Sequence, residues 1–236
     1  LNIFDSMPIS KEFAECLPLR TSNNSHGSYR MALILLSSLI HGHDCLDDIE
    51  GEFFDHPGMQ NIFKGDIPVA KTFGDYLRSF ELKHLEKLNS FLMRMGFTLR
   101  DHLERFLPEE FKPQSEPHFS IDSTAHEQSG DKIEGCATNY KGQWCLNSEI
   151  VYDEFGINYG GLLQTGNMKP GSDGPKLITP ILSAQKKISK HPGEKVSWVS
   201  GDSAYAHEAF IRACLGNQCS FTVAAHGNMK WMEQAE

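Results

Sequence analysis

No stretch of this chain stays apolar for long enough to cross a bilayer. The longest run, Ala32 to Leu36 resuming at Leu39-Ile40, is well short of the roughly 20 residues that a spanning helix needs. A basic start followed by an apolar region and a cleavage site is missing too. The expected location is therefore cytoplasmic, with no membrane partner. No two cysteines are spaced C-x-x-C, which argues against a zinc ribbon. Cys16, Cys45, Cys136, Cys145, Cys214 and Cys219 are expected as reduced thiols. Positive charge is scarce: 22 Lys and Arg against 31 Asp and Glu leave a formal net charge of −9. That argues against a simple polyanion-binding module, which is usually basic. Local basic patches still leave room for an enzyme acting on nucleic acid.

What is present favours a packed core. Hydrophobic residues make up 39% of the 236 and charged residues 22%, a globular balance. The chain opens on Leu1, which reads as a fragment or a processed protein. Residues 1–27 read as irregular, with a polar loop over Thr21 to Gly27. Ser28 to Ile40 reads as a core helix, apolar around most of its circumference. An acidic helix is expected from Leu46 to His56, stopped before Pro57-Gly58. Asp66-Ile67-Pro68 opens another helical stretch. Phe73, Leu77 and Phe80 share one of its faces, and Leu82, Leu85, Leu88 and Leu92 continue the period. A separate short helix is expected over Thr98 to Phe106. Residues 1–112 thus read as an all-helical region. The prolines between Leu107 and Pro117 mark a boundary, and 113–236 form a second domain. His41, His43 and Cys45 follow a helix closely enough to be weighed as metal ligands, against the alternative of an ordinary helix end.

From His118 the pattern changes period. Phe119 and Ile121 alternate with polar neighbours, as in a strand with one buried face, and Asp122 closes the alternation. Lys195 to Ser200 is a second short apolar strand, ending at Gly201-Asp202-Ser203. Trp144 to Tyr152 and Ile157 to Thr165 read as a hairpin around Gly156. Pro175 to Ile188 and Ala206 to Leu215 read as helices, and Cys219 to Ala224 as a last strand. The element order β, β, β, α, β, α, β predicts an α+β or α/β protein with a ribonuclease-H-like mixed five-stranded sheet and flanking helices. Two aspartates delivered by neighbouring strands suit hard divalent cations, which prefer anionic oxygen ligands. Such ions can activate a water or a 3′ hydroxyl at a phosphodiester. The competing reading makes each aspartate a turn or cap residue.

Several of these segments together resemble one family. Ile121-Asp122-Ser123-Thr124-Ala125-His126, Gly130-Asp131-Lys132-Ile133-Glu134-Gly135 and Asn139-Tyr140-Lys141-Gly142-Gln143-Trp144 are similar to the core of DDE transposases from bacterial insertion sequences. So are Leu163-Gln164-Thr165-Gly166-Asn167 with Gly171, Gly201-Asp202-Ser203-Ala204-Tyr205 and Phe221-Thr222-Val223-Ala224. The resemblance spans about 118–232, and Asp75 to Phe80 extends it more weakly. It implies metal-dependent phosphodiester hydrolysis and strand transfer at the ends of a mobile element. It also implies two Mg2+ or Mn2+ ions in the complete enzyme, with Asp122 and Asp202 as catalytic metal ligands. Double-stranded DNA would be the partner, as transposon end and as target, bound by a homodimer. The family's third acid is a glutamate on a later helix. Glu233 and Glu236 follow the last strand too closely to be it, so a truncated, catalytically defective chain is expected. A regulatory DNA-binding truncation and a stand-alone nuclease are the alternatives; the nuclease needs Glu127 or Glu134 beside the aspartates. Two positions depart from the family: Gln164 stands where many relatives carry arginine, and Ser200-Gly201 where a basic residue precedes the second aspartate. Fewer such charges mean weaker phosphate contacts.

Candidate DNA contacts are Lys132, Lys141, Asn167, Lys169 and Lys176, weighed against solvated surface residues. His126 is read as a strand cap rather than a substrate contact. Trp144, Trp198 and Trp231 are read as packing residues rather than base-stacking platforms. The N-terminal helices are read either as a helix-turn-helix for terminal repeats or as packing elements.

Overall fold

A computed structural model describes residues 8–20, 26–112, 116–130, 132–188 and 197–225. Most of the loop expected over Thr21 to Gly27, the start of the strand expected from Lys195, Trp231, Glu233 and Glu236 lie outside these residues. The chain divides into two compact units, Leu1–Phe91 and Leu92–Glu236. The division falls ahead of the proline-bearing segment. No helix among the described residues is long and apolar enough to cross a membrane.

The first unit is helical throughout its described residues: α1 (Pro8–Glu15), α2 (Ser28–Ile40), α3 (Leu46–Asp48), α4 (Pro57–Ile62), α5 (Ala70–Arg78) and the start of α6 (Leu82–Phe106). The α3 turn runs on as a π-helical segment, Ile49–Phe53. Pro57 does not merely stop a helix; it occupies the first turn of α4, where its missing N–H costs nothing, and His56 Nδ1 accepts the Met59 N–H. Met31, Ile34, Ile49, Phe53, Phe73 and Tyr76 form the core. On α5 the buried pair is Phe73 and Tyr76, while Leu77 is 46% exposed. Tyr76 tolerates burial because its hydroxyl donates to the Ser28 carbonyl at 3.0 Å.

α6 is one helix of 25 residues, not the two expected around Thr98. Gly96 does not break it. A Cβ there would meet the Tyr159 ring at 3.0 Å, so the glycine admits a close neighbour rather than a bend.

The second unit is a mixed α+β sheet: β1 (His118–Glu127), β2 (Ala137–Thr138), β3 (Trp144–Asp153), β4 (Asn158–Thr165), β5 (Ser197–Gly201) and β6 (Cys219–Val223). It has six strands rather than the expected five, because the two-residue β2 pairs with the start of β3. β1 lies antiparallel to β3 and parallel to β5. β4 continues beyond β3, antiparallel, and β6 beyond β5, parallel. α7 (Gly174–Ile188) and α8 (Glu208–Gly216) supply the crossovers that parallel neighbours require. Phe119, Ile121, Val151 and Val199 from one sheet face pack with Leu177, Ile178, Ile181 and Leu182 of α7 and Phe210 of α8.

A buried ionic cluster ties α6 to the β3–β4 turn. The Arg100 guanidinium donates to Asp153 Oδ2 at 3.1 Å and to Glu154 Oε1 at 2.7 Å. Tyr159 also donates to Asp153 Oδ2 at 3.0 Å, and the Phe155 and Ile157 N–H groups donate to its other oxygen. Burial alone would raise the Glu154 carboxyl; hydrogen bonding and charge from Arg100 outweigh it and hold the group below the usual carboxylate range. Arg100→Leu leaves Asp153 buried without its cation and is expected to cost about 3 kcal/mol or more, read by urea unfolding at pH 7. A depressed acid stabilises the fold above its unfolded pKa, about 4.3 for glutamate. That part is lost as pH falls through the lower folded value. The gap between wild type and variant should therefore narrow below about pH 4.

Candidate functional site

β1 and β5 are hydrogen-bonded in parallel register, Ile121 opposite Gly201. The next residue of each strand is the aspartate. Asp122 and Asp202 therefore each directly follow the last registered pair of a parallel ladder whose strands run about 4.8 Å apart. The chain leaves β1 toward β3 on one side, and β5 leads to β6 on the other. β5 stops at Gly201, so β1 continues from Asp122 to Glu127 paired with β3 alone.

Each aspartate is exposed and committed through one oxygen. Asp122 Oδ1 accepts the Ser123 N–H at 2.8 Å, and Asp202 Oδ1 accepts the Ala204 N–H at 2.8 Å. Asp202 thereby caps a single 3-10 turn, Ser203–Tyr205. The cap reading and the ligand reading are compatible, since a second carboxylate oxygen remains on each residue. Tyr205 closes the floor. Its ring is fully buried, and a Cβ on Gly174 or Gly201 would lie 2.8 Å from it. The Tyr205 hydroxyl has no hydrogen-bond partner among the described residues. Burial, then the charges of Glu149, Asp122 and Asp202, push its ionisation far above the ordinary tyrosine range.

Beneath the site runs a row that the sequence reading missed. On β3, Asn147, Glu149 and Asp153 share one parity with Cys145 and Val151, and all five are buried. The signal was present: polar residues at the positions of a strand's apolar face mark buried polar groups that need partners. Asn147 Nδ2 donates to the carbonyls of Gly166 and Met168 at 2.9 and 3.4 Å. Glu149 Oε1 accepts the Gly171 N–H at 2.7 Å. Gln164 Nε2 donates to Asp173 Oδ2 at 3.0 Å. The loop Gly166 to Asp173 is thus held from inside the sheet. Burial, opposed in part by the Gly171 N–H, raises the Glu149 carboxyl above its ordinary value.

The other expected contacts fall in two places. Asn167 and Lys169 lie on the loop so held, both exposed, and Asn167 Oδ1 accepts from the Thr165 hydroxyl. Lys176 opens α7 and pairs with Asp173 at 2.5 Å. Lys132 and Lys141 sit in the turns flanking the far end of β1, about 17 Å along the strand from Asp122. Lys141 lies over the Tyr140 ring there. Glu127 ends β1 on the opposite parity to Asp122 and accepts from Gln143; Glu134 is exposed in the loop before β2. Neither accompanies the aspartates. His126 Nε2 is bonded to Ser148 Oγ at 2.8 Å, within β1 rather than at its end. Trp144 donates to the Gly130 carbonyl, and Trp198 meets His118 edge to face.

The His41, His43 and Cys45 metal reading is corrected in favour of the helix end. His43 Nδ1 is bonded to Ser38 Oγ at 3.0 Å and Nε2 to Glu52 Oε2 at 2.9 Å, so neither ring nitrogen is left over. Cys45 caps α3 together with Asp48, whose carboxylate accepts the N–H groups of Asp44 and Cys45. Asp44, Cys45 and Asp48 gather closely, and this capping box accounts for the gathering.

No family model, curated protein or solved structure matches this chain. Tyr205→Phe removes a buried hydroxyl that has no partner. It is expected to leave stability unchanged or to raise it by about 1 kcal/mol, read from the urea midpoint. A loss larger than that would mean the hydroxyl is paired.

Proposed function

We propose that this chain carries the core of a metal-dependent phosphodiester-processing enzyme of the DDE transposase type, acting on double-stranded DNA. The observation that carries the reading is the parallel register of β1 and β5, with Ile121 opposite Gly201. It makes neighbours of two carboxylates 80 positions apart in sequence (202 − 122). The strand order β4-β3-β1-β5-β6, with β3 antiparallel and the last two strands parallel to β1, is compatible with a ribonuclease-H-like sheet and supports the same reading. It is fold-level support only.

The residues fit a hard divalent cation. Asp122 and Asp202 offer anionic oxygens, are exposed, and each retains an oxygen free of hydrogen bonds among the described residues. They would hold Mg2+ or Mn2+, which supplies Lewis-acid activation of a water or 3′ hydroxyl and charge stabilisation at phosphorus. The chain's own residues contribute placement. Ser123 and Ala204 N–H groups fix the two carboxylates in orientation. Asn167 and Lys169, on the loop beside the Asp202 turn, are placed to meet phosphate oxygens. Lys176 is committed to Asp173 and contributes less net charge there.

Calorimetry with Mn2+ tests the reading. Wild type should bind, and Asp122→Ala and Asp202→Ala should each lose measurable binding while remaining folded by circular dichroism. Equal heats from all three proteins would remove the metal site, and with it the proposed chemistry.

A further inference from the structure

Glu149 is fully buried on the inner face of β3, opposite Ser123 of β1. A carboxyl in that position needs a reason, because burial without partners is costly. One oxygen accepts the Gly171 N–H at 2.7 Å, and hydrogen bonding from the Gln164 side chain and the Asp173 backbone adds to it. Gly171 is gripped on three sides. Its carbonyl accepts from His207 Nε2 at 3.0 Å. His207 Nδ1 in turn accepts the Phe210 N–H at the start of α8, which fixes the ring with its proton on Nε2. The third side is the Asp202 turn: a Cβ on Gly171 would lie 2.6 Å from the Ala204 carbonyl oxygen, and φ is +77°. Only glycine fits both the conformation and the space. Ala204 is the residue whose N–H orients Asp202. A continuous chain of contacts therefore runs from the sheet interior to the exposed carboxylate: Glu149, Gly171, Ala204, Asp202.

We infer that Glu149 is a positioning residue for Asp202, holding the Gly166 to Asp173 loop against the turn that orients this carboxylate. Its parity, shared with Val151 and opposite to that of Asp122, sets it behind the site as a support and not among the ligands. The part it plays toward a metal rests on the reading of Asp122 and Asp202 given above. The part it plays in holding the turn does not.

Amide hydrogen exchange separates the two. In Glu149→Leu, which keeps bulk but loses the acceptor, the Gly171 and Ala204 amides should exchange about tenfold faster, with Phe221 in β6 unchanged. Glu149→Gln keeps an oxygen for the Gly171 N–H and should exchange as wild type does. Gly171→Ala, which disturbs the same contact from the other side, should also release Ala204. It stands in for Glu149→Leu if that variant loses Phe221 protection as well. Unchanged exchange at Ala204 in Glu149→Leu or Gly171→Ala, or a Gln variant that behaves like the Leu variant, would overturn the inference. Mn2+ affinity should then fall about tenfold in Glu149→Leu and not in Glu149→Gln. Wild type that fails to bind Mn2+ would overturn the proposed function, while the exchange result would still decide the role of Glu149.

Discussion

The parallel ladder between β1 and β5 is the constraint on which the second unit depends. Parallel neighbours cannot be joined by a tight turn, so the chain must travel out through β3 and β4 and return through α7 before β5 can form. That route brings Gly201 opposite Ile121. β5 stops there, where the Tyr205 ring packs against Gly201. A larger residue at 201 or 174 would collide with that ring. The two glycines therefore serve packing, and the packing decides where β5 ends and Asp202 begins.

The second theme is the polar row on the buried face of β3. Asn147, Glu149 and Asp153 would weaken an ordinary core, since each needs a partner in low dielectric. Here each is spent on irregular backbone that the sheet ladder cannot satisfy. Asp153 organises the β3–β4 turn with Arg100, while Asn147 and Glu149 organise the loop after β4. The two ends of the row differ in charge balance. Asp153 meets a guanidinium. Glu149 meets none among the described residues: the Gly171 and Asp173 backbones and the Gln164 side chain hydrogen-bond to it, and the nearby Asp173 charge raises its pKa further.

The sequence made part of this legible. Alternation at Phe119 and Ile121 located β1, and a carboxylate at the end of an apolar run located Asp122 and Asp202. Both signals are local. What stayed hidden was register. Lys132 and Lys141 read as loop lysines near a site, but only the pairing of Glu127 with Cys145 reveals that their turns flank the far end of β1. Glu149 was passed over because a glutamate in a strand is normally read as solvent-facing; its parity with Cys145 and Val151 was the contrary signal. The histidines after α2 looked like ligands because ligand spacing and capping chemistry use the same residue types.

The acidity of the chain bears on the proposed chemistry. Two carboxylates on adjoining strands repel one another, and a net charge of −9 repels a phosphodiester at long range. Lys169 on the neighbouring loop is a single point charge, and Lys176 is offset by Asp173. Lysines alone therefore cannot bring a DNA backbone against Asp122 and Asp202. Held by these two carboxylates, a divalent cation would reverse the local sign. On the proposed reading, metal and nucleic acid would bind cooperatively, each reducing the electrostatic cost of the other. The rigid support behind Asp202 then has a physical purpose: like charges held close need a framework that stops them from turning away.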